Sequence, residues 1–330
     1  MNELRKLNIV IMGATATGKS AFAHELYAHL QKKCIDSAVV NLDAFQFYKG
    51  VTLGTAKPSK YEIAEFKYKG LDICEANENI DAQSYFKMAR GWCESLWEQN
   101  KTPICVGGSG LYQRSFLHGL DDLPQRNDAL RNFYRTCALN WGWPHLHLWL
   151  QKIDAQRALE LHPNDGVRIE RALEIFFETG HAQSLQRSRN TKEQSLSNQS
   201  LQWPCFVVQV DVKDDILLRE QIIVRVQKMM DSGWISEVEQ LLFKFGNEVA
   251  SWPSMRAIGY QQIMQFLQPN SEIKSTEKLM ELIAIATWQY VRRQRTWNNR
   301  EHCDAKVDML NGHGKNEAFE AIEKALRIDL

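Results

Sequence analysis

Residues 8–20, Asn8-Ile9-Val10-Ile11-Met12-Gly13-Ala14-Thr15-Ala16-Thr17-Gly18-Lys19-Ser20, carry an apolar strand pattern straight into the octapeptide GATATGKS. A buried strand, a loop bracketed by glycines and a Lys-Ser pair opening a helix together make a phosphate loop. Gly13 and Gly18 let the backbone curl with its N–H groups turned inward, and the amino end of the following helix adds partial positive charge. The whole stretch from Gly13 through Ala14, Thr15, Ala16, Thr17 and Gly18 is therefore expected to hold a polyphosphate. Lys19 brings a mobile point charge to the outer phosphates, and the Ser20 hydroxyl is placed to hold Mg2+. An ordinary glycine turn would need neither the lysine nor the hydroxyl. The loop leaves the chemistry open, because nucleotide kinases, motor ATPases and enzymes acting on other diphosphates all use it.

Working outward, Phe22, Leu26 and Leu30 recur at helical spacing over 21–33, and Ala38 to Leu42 reads as a short buried strand. That strand carries Asp43 out of its carboxyl end, the end at which parallel sheets hold ligands. The segment from Phe47 to Pro58 is too broken by glycine for a regular element and reads as a ligand-contacting loop. Tyr85, Ala89, Trp92 and Leu96 mark one face of a helix. A strand at Pro103–Val106 then meets a second glycine turn, Gly107-Gly108-Ser109-Gly110. These alternating strands and helices predict a P-loop NTPase-like α/β core, a parallel sheet flanked by helices.

From Asp121 to Gly180 the pattern changes to helical segments without strand alternation, including the turn His162-Pro163-Asn164-Asp165 and a helix ending at Gly180. Residues 121–200 are thus expected to form an inserted all-helical domain, with a mobile polar linker at 188–200. The core is assigned to 1–120 and 201–330. Its second part holds a strand at Cys205–Val210, helices over about 214–232 and 234–245, and a long helix over about 276–298. On the last of these, Gln289, Arg293, Thr296 and Arg300 share a polar face, widened by Arg292 and Arg295. Tyr290 and Trp297 beside that basic cluster are types that contact nucleic-acid backbone and bases. A strand near Lys306–Leu310 and a helix from about Asn316 are given structural roles.

The 330 residues carry 40 Lys and Arg against 40 Asp and Glu, so any nucleic-acid partner must be held by a local patch. No apolar run approaches membrane-spanning length, and the amino terminus enters the first strand without a secretory signal pattern. A soluble, cytoplasmic monomer with no membrane partner is the expectation. The seven scattered cysteines include no CxxC pair, which argues against a zinc knuckle or a disulfide framework. His145 and His147 flank Leu146 in an apolar stretch and read as packing residues.

The ordered motifs carry a resemblance to a known family. GATATGKS, DAFQFYKG from Asp43, GTAKP at Gly54–Pro58, GGSGLY at Gly107–Tyr112, HPND with RIERALEIF at 162–177, RVQKMMDSGWISEV at 225–238, RAIGYQQ at 256–262 and ATWQYVRRQRTW at 286–297 together resemble the tRNA dimethylallyltransferases, also called isopentenyl-diphosphate:tRNA transferases. The resemblance covers roughly residues 8–300. It implies transfer of the dimethylallyl group of dimethylallyl diphosphate to N6 of adenine 37, beside the anticodon, in tRNAs reading codons that begin with U. The partner it implies is an anticodon stem-loop with adenines at 36, 37 and 38.

Residue by residue, the resemblance implies that Asp43 is the general base, that Ser109 stands where the family has threonine and contacts the bridging oxygen or a diphosphate oxygen, and that Arg225 rather than Arg219 stabilises the leaving diphosphate. Gln46 resembles the residue that reads the target adenine. Lys57, in the Gly54–Pro58 segment, and Gln289, Arg292, Arg293 and Arg295 would hold RNA, while the helical insert would clamp the anticodon arm. Ala14, Thr17 and Ala44 depart from the family's usual proline, serine and serine, and Lys67 and Lys69 stand near a histidine pair that this chain lacks. Two other classes fit parts of the sequence. A small-metabolite kinase would use the same loop for ATP but leaves the insert and the second-half motifs unexplained. A noncatalytic RNA-binding protein would have no need of Lys19, Ser20, Asp43 and Arg225 together.

Overall fold

The computed structural model describes residues 4–119, 123–124, 126–185 and 203–327. In chain order the first part contains β1 (Asn8–Gly13), α1 (Lys19–Lys32), β2 (Ser37–Asn41), α2 (Lys60–Glu65), α3 (Ala82–Glu98), β3 (Thr102–Val106) and α4 (Gly110–His118). A run of helices follows: α5 (Asp128–Trp141), α6 (Trp143–Ile153), α7 (Ala155–Glu160) and α8 (Gly166–Thr179). The remainder holds β4 (Cys205–Asp211), α9 (Asp215–Asp231), α10 (Trp234–Phe245), α11 (Tyr260–Phe266), α12 (Thr276–Asn298), β5 (Ala305–Asp308) and α13 (Lys315–Leu326). Two compact units result, Met1–Leu117 with Pro204–Leu330, and His118–Trp203. The polar run 188–200 lies outside the described residues.

The first unit is built on a parallel sheet ordered β2-β3-β1-β4-β5. β1 is central and pairs with β4 in the register Asn8↔Cys205 through Gly13↔Val210 and with β3 as Ile9↔Ile104 through Ile11↔Val106. All six residues of β1 are buried, the consequence of helices covering both faces of a parallel sheet. On one face Ile9, Ile11, Val39, Ile104 and Val208 pack against Phe22, Leu26 and Leu30 of α1 and Phe319, Ile322 and Leu326 of α13. Each such side chain, fully buried, contributes roughly 1.5–3 kcal/mol. The fold is the parallel α/β core expected, and it fixes β1, β2 and β3 side by side so that the turns following them open at one edge.

The second unit has a separate core in which Leu146 and Leu150 of α6 meet Tyr134, Cys137, Ile169 and Leu173. Side chains of Asn127, Asp154 and Asp165 accept backbone N–H groups at the starts of α5, α7 and α8, and Gly180 closes α8 in a left-handed conformation at φ 68°. The HPND turn thus serves as the start of α8. His147 Nε2 lies 3.0 Å from the Ala158 carbonyl, which makes it a packing residue. Glu174, fully buried, is neutralised by Arg131 at 2.9 Å and Arg171 at 2.5 Å, so its charge is paired. All seven cysteines are free thiols, and Cys74, Cys93, Cys105 and Cys137 are buried.

Candidate active site

Three turns follow three adjacent strands, and each carries part of the site. After β1 the phosphate loop packs tightly: a Cβ on Gly13 would lie 2.3 Å from the Val210 carbonyl oxygen, so only glycine fits against β4. Gly18 starts α1 at φ 85°, and Ala16 holds the left-handed region at φ 66°, a conformation that costs an L-residue about 1 kcal/mol or more. Thr17 is buried and donates its hydroxyl to the Ala14 carbonyl at 2.9 Å, closing the loop internally. Lys19 turns its ammonium back to the same carbonyl at 2.6 Å. Desolvation pushes the Lys19 pKa down from 10.5 to about 8. The Asp43 charge opposes that fall and Arg225 adds to it.

After β2 the chain places Asp43. Asn41, buried, accepts the Asp43 N–H at 2.9 Å through its side-chain oxygen and donates its amide to the Asp43 and Gly70 carbonyls. Tyr85 donates to the Asn41 carbonyl. The Asp43 carboxylate itself accepts the Phe45 N–H at 3.0 Å, an Asx turn that fixes its direction. After β3, Ser109 Oγ accepts the Ala44 N–H at 3.2 Å, so the second glycine turn is tied to the segment carrying Asp43.

Asp43 and Arg225 line one cavity of about 270 Å3, together with Thr15, Tyr290, Arg256 and Arg293. Arg225 projects from α9, and its pKa is lowered by desolvation against the supporting charge of Asp43. Burial raises the Tyr290 phenol to about 12, with the Asp43 charge adding to the rise. The rest of the wall is mainly apolar, with Val226, Met229 and Ile283 among its residues beside Thr55 and Thr287. Arg225 and Met229 also border a second cavity of about 800 Å3 on the phosphate-loop side, lined by Ala16, Thr17, Gly18 and Lys57. Arg219 lies elsewhere, with its guanidinium 4.3 Å from the Trp288 ring centre.

The expected RNA contacts divide into two groups. Gln289 and Arg292 are exposed on α12, and Arg293 is exposed at the cavity. Lys57 is engaged within the protein: its side chain is 3% exposed and its ammonium sits 2.6 Å from Asp72 and 2.5 Å from the Tyr48 carbonyl oxygen. Arg295 likewise bonds Asp215 at 2.6 Å and Asp211 at 3.2 Å. Gln46 donates its amide to the Thr55 and Ala56 carbonyls at 3.1 Å each, which leaves its side-chain oxygen as the group still to be satisfied.

Sequence reasoning assigned no role to Gln294, Asn41 or Arg256. Gln294 is buried on α12 and bonds both phosphate-facing turns, accepting from Thr15 N–H at 2.8 Å and donating to the Gly108 carbonyl at 2.7 Å. Its burial within a basic stretch has no local signature in the sequence. Arg256 opens the RAIGYQQ segment, and that cluster of a cation beside a glycine turn was the available signal.

Ser20 is exposed in the first turn of α1. Among the described residues no group of three His, Cys, Asp or Glu side chains could cage a metal. A single hydroxyl beside a phosphate loop fits Mg2+ carried chiefly by phosphate oxygens and water, the habit of this hydrated cation.

The chain matches the family described as IPP transferase over residues 46–301. A tRNA dimethylallyltransferase of Methylococcus capsulatus is 33% identical over 293 residues, 89% of each chain. One of Thiobacillus denitrificans is 34% identical over 291 residues, 88% of this chain and 87% of the relative. Among solved structures, a eukaryotic dimethylallyltransferase acting on tRNA has a TM-score of 0.76 over 98% of this chain and 81% of its own, at 20% identity, a likeness of fold.

Proposed function

The chain belongs to the IPP transferase family, and on that footing we propose that it transfers the dimethylallyl group of dimethylallyl diphosphate to N6 of adenine 37 in tRNAs reading codons that begin with U. The observation that carries this reading is the shared cavity of Asp43 and Arg225, with Lys19 near enough for both charges to act on it.

The exocyclic amine of adenine is a weak nucleophile because its lone pair is delocalised into the ring. The Asp43 carboxylate, oriented by the Phe45 amide, would accept the N6 proton as the new C–N bond forms. The allylic C–O bond breaks in the same step, and its electron pair leaves with diphosphate. Arg225, Lys19 and the loop amides would take up that charge. Mg2+ at Ser20, when bound, would neutralise part of the diphosphate charge. Val226, Met229 and Ile283 offer the apolar wall that a five-carbon chain needs.

The target adenine must leave its stack to enter such a cavity. Gln46, with its amide hydrogens engaged, would read the adenine N6–H through its side-chain oxygen. The helical unit would grip the anticodon arm around adenines 36, 37 and 38, with the chain acting as a monomer in the cytoplasm. Among the described residues no helix is long and apolar enough to cross a membrane.

The test is incubation with dimethylallyl diphosphate and unmodified tRNA, followed by nucleoside analysis. The expected product is N6-(dimethylallyl)adenosine, absent when position 37 is guanine. ATP turnover on a small acceptor without prenylated nucleoside would favour the kinase instead.

A further inference from the structure

We infer that Met229 sets the length of the prenyl chain, confining the site to a five-carbon donor. The inference rests on the prenyl-transfer reading above and adds to it a residue that selects among allylic diphosphates.

Arg225 and Met229 stand at i and i+4 on α9, so their side chains share one face of that helix. Both line the cavity of about 270 Å3 that holds Asp43, and both line the cavity of about 800 Å3 on the phosphate-loop side. The pair therefore forms a partition between the two spaces, with one cationic half and one apolar half. Arg225 would face the diphosphate, which leaves Met229 against the chain that the diphosphate carries.

The chemistry is the same for any allylic diphosphate. The C1–O bond breaks with its electron pair on the leaving diphosphate, the C1–N6 bond forms, and Asp43 takes the N6 proton. Chain length matters only through the space around the tail. Val226, Trp234 and Ile283 of the smaller cavity are buried. Trp234 is packed so closely that a Cβ on Gly259 would lie 1.9 Å from its indole ring, so this part of the wall has no room to retreat. Met229 differs from these three: it is half-buried, unbranched and backed by the larger cavity, whose lining includes the exposed apolar side chains of Leu217, Val224 and Leu310. A ten-carbon chain would have to displace the thioether into that space, and shortening the side chain would open the way.

Transfer to unmodified tRNA is measured as kcat/KM with dimethylallyl diphosphate and with geranyl diphosphate, its ten-carbon homologue. The wild type is expected to prefer the shorter donor about 100-fold or more, and Met229→Ala to narrow that preference about tenfold or more through a rise in N6-geranyladenosine formation. Met229→Val reads the same ratio should the alanine variant fail to fold. Equal use of both donors by the wild type, a ratio unchanged in a folded Met229 variant, or a narrowing that comes only from slower dimethylallyl transfer overturns the inference alone. A folded wild-type chain that prenylates tRNA from neither donor overturns the transfer reading and this inference with it.

Discussion

Tyr260 donates its hydroxyl to Glu237 at 2.5 Å, and the pair holds three consecutive amides of one turn. Glu237 accepts from Thr52 and Leu53, and Tyr260 accepts from Gly54. The turn is pressed on Trp234 so closely that a Cβ on Gly54 would lie 2.2 Å from the indole ring. Gly54 and Thr55 continue onto the cavity wall, and the Thr55 and Ala56 carbonyls fix Gln46. One carboxylate on α10 therefore sets the position of residues that the proposed reaction uses.

Glu237→Ala should leave two amides and a phenol short of a partner, a loss of about 1–3 kcal/mol in urea unfolding. Tyr260→Phe should cost about 1 kcal/mol, because it removes one donor and one acceptor from the same network. If the network positions the acceptor base, Glu237→Ala also raises KM for tRNA more than it lowers kcat. An unchanged KM with reduced stability would limit Glu237 to holding the turn.

The lowered Lys19 pKa gives a pH dependence with a defined sign. Folding depresses it from 10.5 to about 8, so between these values the unfolded chain binds the extra proton and stability of the unliganded protein rises with pH. Diphosphate favours the ammonium form, so donor affinity should hold steady just below pH 8 and fall as pH rises through it, with proton uptake on binding above that point. Titration calorimetry in two buffers of different ionisation enthalpy measures the uptake. Lys19→Met should bind the donor weakly and show no such uptake; an unaltered pH profile in this variant would remove Lys19 from the diphosphate site.

The α12 arginines should separate by experiment. Arg292 and Arg293 are exposed, and replacing either with alanine should weaken tRNA binding and reduce the slope of log affinity against log salt by about 1. Arg295 bonds Asp211 and Asp215, so Arg295→Ala should lower thermal stability and leave the salt slope nearly unchanged. A lower slope for Arg295→Ala would place its charge on RNA.

Much of the fold was legible because its signals are local. β1, buried at every residue, announces itself as an apolar run, and the glycines that follow are required by the loop's own backbone geometry and packing. The long helix Thr276–Asn298 is bounded by its Ser275 cap and by apolar positions at helical spacing. What could not be read depends on partners distant in sequence. Lys57 and Arg295 resemble free cations in a linear reading, yet their carboxylates come from Asp72 and from Asp211 and Asp215. Gln294 sits among arginines and is buried because α12 crosses two turns whose convergence only the sheet order brings about. Asn41 is similar: its role follows from its place between Asp43 and Tyr85, which no spacing rule encodes.

The most direct test of the account is single-turnover transfer from dimethylallyl diphosphate to unmodified tRNA by wild-type protein and by Asp43→Asn, with thermal unfolding and donor binding measured on both. The account predicts that the amide, isosteric but unable to accept the N6 proton, slows transfer about 10²–10⁴-fold while unfolding and donor affinity stay close to wild type. Transfer by Asp43→Asn at a near-normal rate would contradict it.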